Sequence, residues 1–235
     1  MAPLHPPPRR RARPRPPRDR PPGGERARAH PASAPPALAA AILVSIPLGW
    51  WAHHSQRWGA PLLTGLSLLY AIPSLPMFFL IPVLIGIALR SNLNMIIVLA
   101  LYGIAVLVRQ AADAFASLPR DVLESADAAG YPAFRRFFAV ELPLALPAII
   151  AGIRVVIVST VSLVTVGAVI GIRSLGTLFT DGFQRGLASE VAVGLAATIA
   201  LALILDGLTV ALGALSTPWT RAERRKAEDA EGAAA

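Results

Sequence analysis

The stretch Leu142–Ile172, LPLALPAIIAGIRVVIVSTVSLVTVGAVIGI, carries a single charged residue, Arg154. A bilayer core of about 30 Å is crossed by roughly 20 helical residues, so this run is long enough to span a membrane and too apolar to sit on a soluble surface. Similar runs flank it. Gly59–Leu89 is punctuated by Pro61, Pro73, Pro76 and Pro82; Leu93–Val108 follows, and Val191–Leu215 is broken only by Asp206. Ala37–Ala52 comes first and is short for a crossing. These segments predict an all-α, polytopic integral membrane helix bundle with five transmembrane helices, or six if Gly59–Leu89 is divided. No internal repeat is present.

Composition agrees. The 235 residues are 54% hydrophobic and 15% charged, against about 25% charged in an ordinary soluble domain, and mean hydropathy is +0.57. A soluble enzyme of this size is excluded, because it would lack the polar groups to cover its surface. The net charge of +8 is not spread over the chain. Residues 1–36 hold nine arginines against Asp19 and Glu25, and 12 of the 22 prolines. Pro and Arg at this density cannot bury apolar surface, so a disordered or polyproline-like tail is expected there. A nucleic-acid arm would interleave aromatics with its basic residues, and this segment has none, so no nucleic-acid partner is expected. A signal peptide would follow its apolar run with a small-residue cleavage site, whereas Gly49-Trp50-Trp51 follows here. Cys is absent, which excludes disulfides and Cys-ligated metal.

Ser117–Pro147 differs in kind. Pro119 suits a first helical turn, and Asp121 and Glu124 suit its acidic start. Gly130 is a natural stop. Pro132 opens a second short helix with Phe134, Phe137 and Phe138 at i, i+3, i+4, flanked by Arg135 and Arg136, and Pro143 is expected to end or kink it. Two short amphipathic helices joined at a glycine between spans make a surface to be gripped by a partner.

The segment Glu124-Ser125-Ala126, three residues, Gly130, nine residues, then Val140-Glu141-Leu142-Pro143 resembles the EAA loop of bacterial ABC importer permeases. That pattern runs Glu-Ala-Ala, three residues, Gly, nine residues, Ile, any residue, Leu-Pro; Ser125 and Val140 depart mildly from it. Ile46-Pro47-Leu48-Gly49, Ile72-Pro73-Ser74-Leu75, Leu142–Pro147, Ala151-Gly152-Ile153-Arg154, and Val169-Ile170-Gly171 with Ser174-Leu175-Gly176 are similar to one branch, the permeases of osmoprotectant importers for glycine betaine, carnitine or choline. The resemblance covers roughly residues 37–222. It implies a type I importer architecture in which a loop, here 113–146, docks into a partner ATPase. Glu124, Ser125, Ala126, Gly130, Phe134, Arg135, Phe138, Leu142 and Pro143 would form that coupling surface. It also implies a second permease copy or a paralogue, since an importer needs two such loops, and an extracytoplasmic substrate-binding protein.

No Gly-x-x-x-x-Gly-Lys-Ser/Thr loop occurs. The chain is therefore expected to be a transport subunit, not an enzyme, with ATP and Mg held by the partner ATPase and no cofactor of its own. His5, His30, His53 and His54 lack ligand spacing, so no metal is expected. Trp50, Trp51, Trp58 and Tyr70 read as interfacial belt and packing, because in this family the cage for a quaternary ammonium belongs to the binding protein. If loop 113–146 is cytoplasmic, three spans precede it and the N-terminus lies outside, while 218–235 with its Arg221–Lys226 cluster lies inside. The arginine-rich tail then violates the positive-inside preference. That conflict favours a tail not native to the working protein, with a truncated first helix.

Arg154 and Asp206 are ionisable residues inside spans, where such groups are functional or paired. Each is expected about nine positions from the cytoplasmic end of its helix, so either they pair, or Arg154 snorkels and Asp206 faces a water-filled cavity. Pro73 and Ser74, mid-way along a long apolar segment, are candidates for a break with freed carbonyls lining a pathway. The reading is a permease subunit moving a compatible solute across the cell membrane by alternating access. A permease for an amino acid or methionine, and a membrane scaffold without transport, are the other classes.

Overall fold

The computed structural model describes residues 34–217, which are helical throughout apart from connections. The order is α1 (Ala34–His54), α2 (Gly59–Ala71), α3 (Ser74–Ile85), α4 (Asn92–Ala116), α5 (Arg120–Ala128), α6 (Ala133–Arg136), a π-helical turn (Phe137–Glu141), α7 (Leu142–Val169), α8 (Thr177–Arg185) and α9 (Ala188–Ser216). Among the described residues four continuous helices are long and apolar enough to cross a membrane: α1, α4, the run Ala133–Val169, and α9. The fold class is the expected all-α polytopic bundle.

One expectation needs correction, and two alternatives left open by the sequence are decided. The first helix is not short: it begins at Ala34, three residues inside the segment read as tail, and reaches 21 residues at His54. Prolines are tolerated in its first turn because the N–H groups there have no intrahelical partner. Gly59–Leu89 does not make two crossings. It folds as helices of 13 and 12 residues bent by 106°, each too short for a bilayer, so the sixth helix is not formed. At Pro143, expected to end or kink the second short helix, the chain does not stop: Ala133 to Val169 is one 37-residue run. Proline removes a donor and clashes with the carbonyl four residues back. A wider π turn just before it, with the Leu142 N–H bonded to the Phe137 carbonyl, carries the chain past that obstacle. The rest of the 1–36 tail and residues 218–235 lie outside the described residues.

The bundle is organised around α4. Over its most apolar stretch 56% of positions are buried, against 6% for α9, so α4 is the axis and α9 lies at the periphery of the chain. Helix α1 lies along α4 through Ala37, Ala41, Ser45, Gly49 and Ala52, all buried on one face. Lipid tails are as apolar as leucine, so association depends on close backbone approach through small residues. Gly49 shows how close: a Cβ there would stand 2.6 Å from the Ala111 Cβ. Two apolar cores result. One joins α3, α4 and α7 through Met77, Phe78, Met95, Leu99 and Val164; the other joins α4, the π turn and α7 through Phe115, Phe137, Ala145 and Ile149.

Candidate functional site

Helix α5 starts after Pro119 with Asp121 in its first turn. The Ser125 hydroxyl donates back to the Asp121 carbonyl at 2.7 Å. The helix ends in a paired-bond cap: the Tyr131 N–H reaches the Ala126 carbonyl at 3.2 Å and the Gly130 N–H the Asp127 carbonyl at 3.0 Å. That cap demands a left-handed residue, and Gly130 supplies it with φ +78°. The chain then reverses at Pro132 into α6.

The turn sorts the predicted residues by face. Ala126 is buried, so its small side chain is turned to the bundle. Glu124, Ser125, Gly130 and Arg135 are exposed, and Glu124 takes no partner among the described residues. The three phenylalanines do not share a face as expected: Phe137 is buried, while Phe134 and Phe138 are 77% and 52% exposed, their rings 4.9 Å apart. The π turn separates them. Arg135 stands over the Tyr131 ring at 5.0 Å. Leu142 and Pro143 are half-buried at the root of α7.

Sequence reasoning missed the group that fixes this loop to the spans. Glu141 is 1% exposed. It accepts from Arg136 Nε at 2.7 Å and from the Trp50 indole N–H at 2.5 Å, and His54 Nε2 lies 3.8 Å away. Arg136 also donates through Nη1 to Asp127. A buried carboxylate is tolerable only when its oxygens are so satisfied. One chain of contacts therefore runs from α5 (Asp127) through Arg136 and Glu141 to α1 (Trp50), and Trp50 is an anchor of the loop, packed edge-on to Phe137 at 5.1 Å, not a belt residue. The five-residue spacing of Arg136 and Glu141 was the available signal, since a π turn bonds i to i+5.

Deeper in the bundle Arg154 and Asp206 meet. Arg154 donates from Nε and Nη2 to the two Asp206 oxygens at 2.6 and 2.8 Å. Of the two arrangements open from the sequence, the pair is the one formed. It is not buried within the chain: the side chains are 46% and 25% exposed, on an open recess of about 470 Å³ lined also by Ala151, Val155, Val158 and Ser159. The break at Pro73–Ser74 forms as well, with Ser74 starting α3. Its freed Ile72 carbonyl accepts from the Tyr102 hydroxyl.

A family model described as "Binding-protein-dependent transport system inner membrane component" matches residues 41–218. The chain belongs to this family. It is thus a multi-pass inner-membrane component of a transport system. Among its relatives, the "Osmoprotectant import permease protein OsmW" of Salmonella typhimurium is 32% identical over 77% of this chain and 86% of its own length. The "Glycine betaine/proline betaine transport system permease protein ProW" of Escherichia coli is 31% identical over 75% of this chain, which spans about half (49%) of that relative. A solved structure titled as inward-facing conformations of the MetNI methionine ABC transporter superposes with a TM-score of 0.70, covering 77% of this chain and 89% of that one at 15% identity. At that identity the likeness establishes a shared fold. Among the described residues no group of three or more metal-ligating side chains occurs.

Proposed function

We propose that this inner-membrane component is the permease subunit of an ABC importer for a compatible solute such as glycine betaine or choline. The observation that carries the reading is the loop itself. The Glu124–Gly130–Pro143 spacing folds into a capped helix and a reversal that present Glu124, Phe134 and Phe138 outward, while Arg136, Glu141 and Trp50 tie the same loop to the spans. Exposed aromatics beside an unpaired carboxylate suit a cleft on a partner, and a loop riveted to two helices passes the partner's motion on without slack. In this role Glu124, Ser125, Gly130, Phe134, Arg135 and Phe138 dock an ATPase that holds ATP and Mg, while buried Ala126 and half-buried Leu142 and Pro143, expected on the same surface, hold the loop against the bundle. The solute class is supported by the names of the relatives.

Counting the bent α2–α3 pair as one crossing makes five spans, with loop 113–146 and the C-terminus cytoplasmic. A second permease copy or a paralogue completes the pathway, and an extracytoplasmic binding protein delivers the solute. ATP binding closes the ATPases, the loops follow, and the bundle reopens outward. The test is uptake of labelled glycine betaine by proteoliposomes holding the permease with its ATPase and binding protein. ATP-dependent accumulation competed by choline or carnitine is expected. Accumulation of an amino acid alone overturns the solute class, and no uptake of either overturns transport.

A further inference from the structure

The Arg154–Asp206 pair sits far from either end of the membrane-crossing helices. Along α7 (Leu142–Val169) and α9 (Ala188–Ser216), Arg154 stands roughly 18 Å from the start of the first and Asp206 roughly 15 Å from the end of the second, at about 1.5 Å per residue. Both ions are partly exposed on an open recess. Ionisable groups at this depth face a protein interior or a water-filled cavity rather than hydrocarbon, so this face of α7 and α9 is not a lipid face. The recess is open on the outer side of the chain, with about 470 Å³ of accessible space. It presents one fixed cation, one fixed anion, the Ser159 hydroxyl and small apolar walls from Ala151, Val155 and Val158. Ser159 also lines the crevice that holds Tyr70 and Tyr102, so the recess adjoins the tyrosine that caps the Pro73 break.

We propose that the Arg154–Asp206 pair is a transient binding site for a zwitterion on the translocation path, a reading that rests on the compatible-solute function above. A solute carrying a carboxylate and a quaternary ammonium matches the pair charge for charge. Its carboxylate replaces Asp206 on the Arg154 guanidinium fork, and its ammonium replaces Arg154 beside Asp206, with its methyl groups against Val155 and Val158. The two protein charges re-pair when the solute leaves, so no ion is stranded in the membrane. No aromatic ring lines the recess. Without the ring faces that grip quaternary ammonium groups tightly, the site is weak, and a site on a path must release what it binds.

Because the chain contains no Cys, single cysteines test this directly in proteoliposomes holding the permease with its ATPase and binding protein. Val158→Cys reports the recess, and Ile204→Cys, exposed on the flank of α9 turned away from Asp206, reports lipid. The reagent is a methanethiosulfonate bearing a trimethylammonium group. Val158→Cys should react at least tenfold faster than Ile204→Cys, and glycine betaine should slow it. In an Arg154→Gln background the protection by glycine betaine should weaken at least tenfold, while choline, which has no carboxylate, should protect as well as before or better. Equal slow labelling at both positions overturns the aqueous face. Fast labelling without protection, or equal loss for both solutes, overturns the zwitterion site. Glycine betaine uptake by the same vesicles separates the two readings: uptake without protection sinks this inference alone, and no uptake sinks the function on which it rests.

Discussion

Glu141 is the residue whose loss should matter most to the loop, because it ties that loop to the first span through Trp50. Its carboxylate is sealed from solvent and held by Arg136 and Trp50 at 2.7 and 2.5 Å. Removing one partner of a buried ion pair costs about 3–5 kcal/mol. Arg136 keeps Asp127 and remains 16% exposed, so its charge is not stranded, and Glu141→Ala should fall at the low end, about 3 kcal/mol. Glu141→Gln keeps the shape and one acceptor oxygen but exchanges a charged hydrogen bond for a neutral one, a loss of about 1–2 kcal/mol. Trp50→Phe removes the same bond from the other side, and the double variant should show a coupling of about 1–2 kcal/mol. Unfolding in detergent, followed by circular dichroism, measures all three. Stability of Glu141→Gln within about 0.5 kcal/mol of wild type, or strict additivity with Trp50→Phe, would refute the network.

Two further predictions follow from the packing. Gly49→Ala places a methyl 2.6 Å from the Ala111 Cβ and 3.0 Å from the Ala112 nitrogen. Overpacking of this kind should cost about 1–3 kcal/mol, and the same unfolding measurement should show it, with little effect from an alanine at open Gly65. Asn94 is fully buried and its side-chain amide donates to the Phe78 and Leu89 carbonyls at 3.0 and 2.9 Å. Asn94→Ala should therefore cost about 2–4 kcal/mol and raise hydrogen exchange at the α3–α4 connection before the rest of the bundle.

The spans were legible because hydrocarbon allows only long apolar helices, and the coupling loop because its Glu, Gly and Leu-Pro stand at a fixed spacing. The Arg154–Asp206 pair was legible as one of two arrangements, since equal depth makes contact possible and does not require it. What escaped is tertiary or local strain. The π turn arises from Pro143 resolving its clash within a helix that packing keeps continuous, and only that turn brings Arg136 and Glu141 into line. Trp50 looks like an interfacial ring until Glu141 is found opposite its N–H. The stripe Ala37, Ala41, Ser45, Gly49 and Ala52 carries no hydrophobic signal; its meaning appears only when α4 is seen against it. Helix α8, amphipathic and nine residues long, is too short for periodicity to reveal.

The central claim is that the loop after α4 recruits an ATPase, and affinity purification from native membranes in mild detergent, read by mass spectrometry, tests it most directly. Wild type is compared with Gly130→Pro, which cannot adopt φ +78° and loses the N–H that caps α5 at Asp127, and with Glu124→Arg, which disturbs no contact within the described fold. A P-loop ATPase and a solute-binding protein should accompany wild type, and the ATPase should be lost from both variants. Purification of wild type without any ATPase, or equal recovery with all three proteins, would contradict the account.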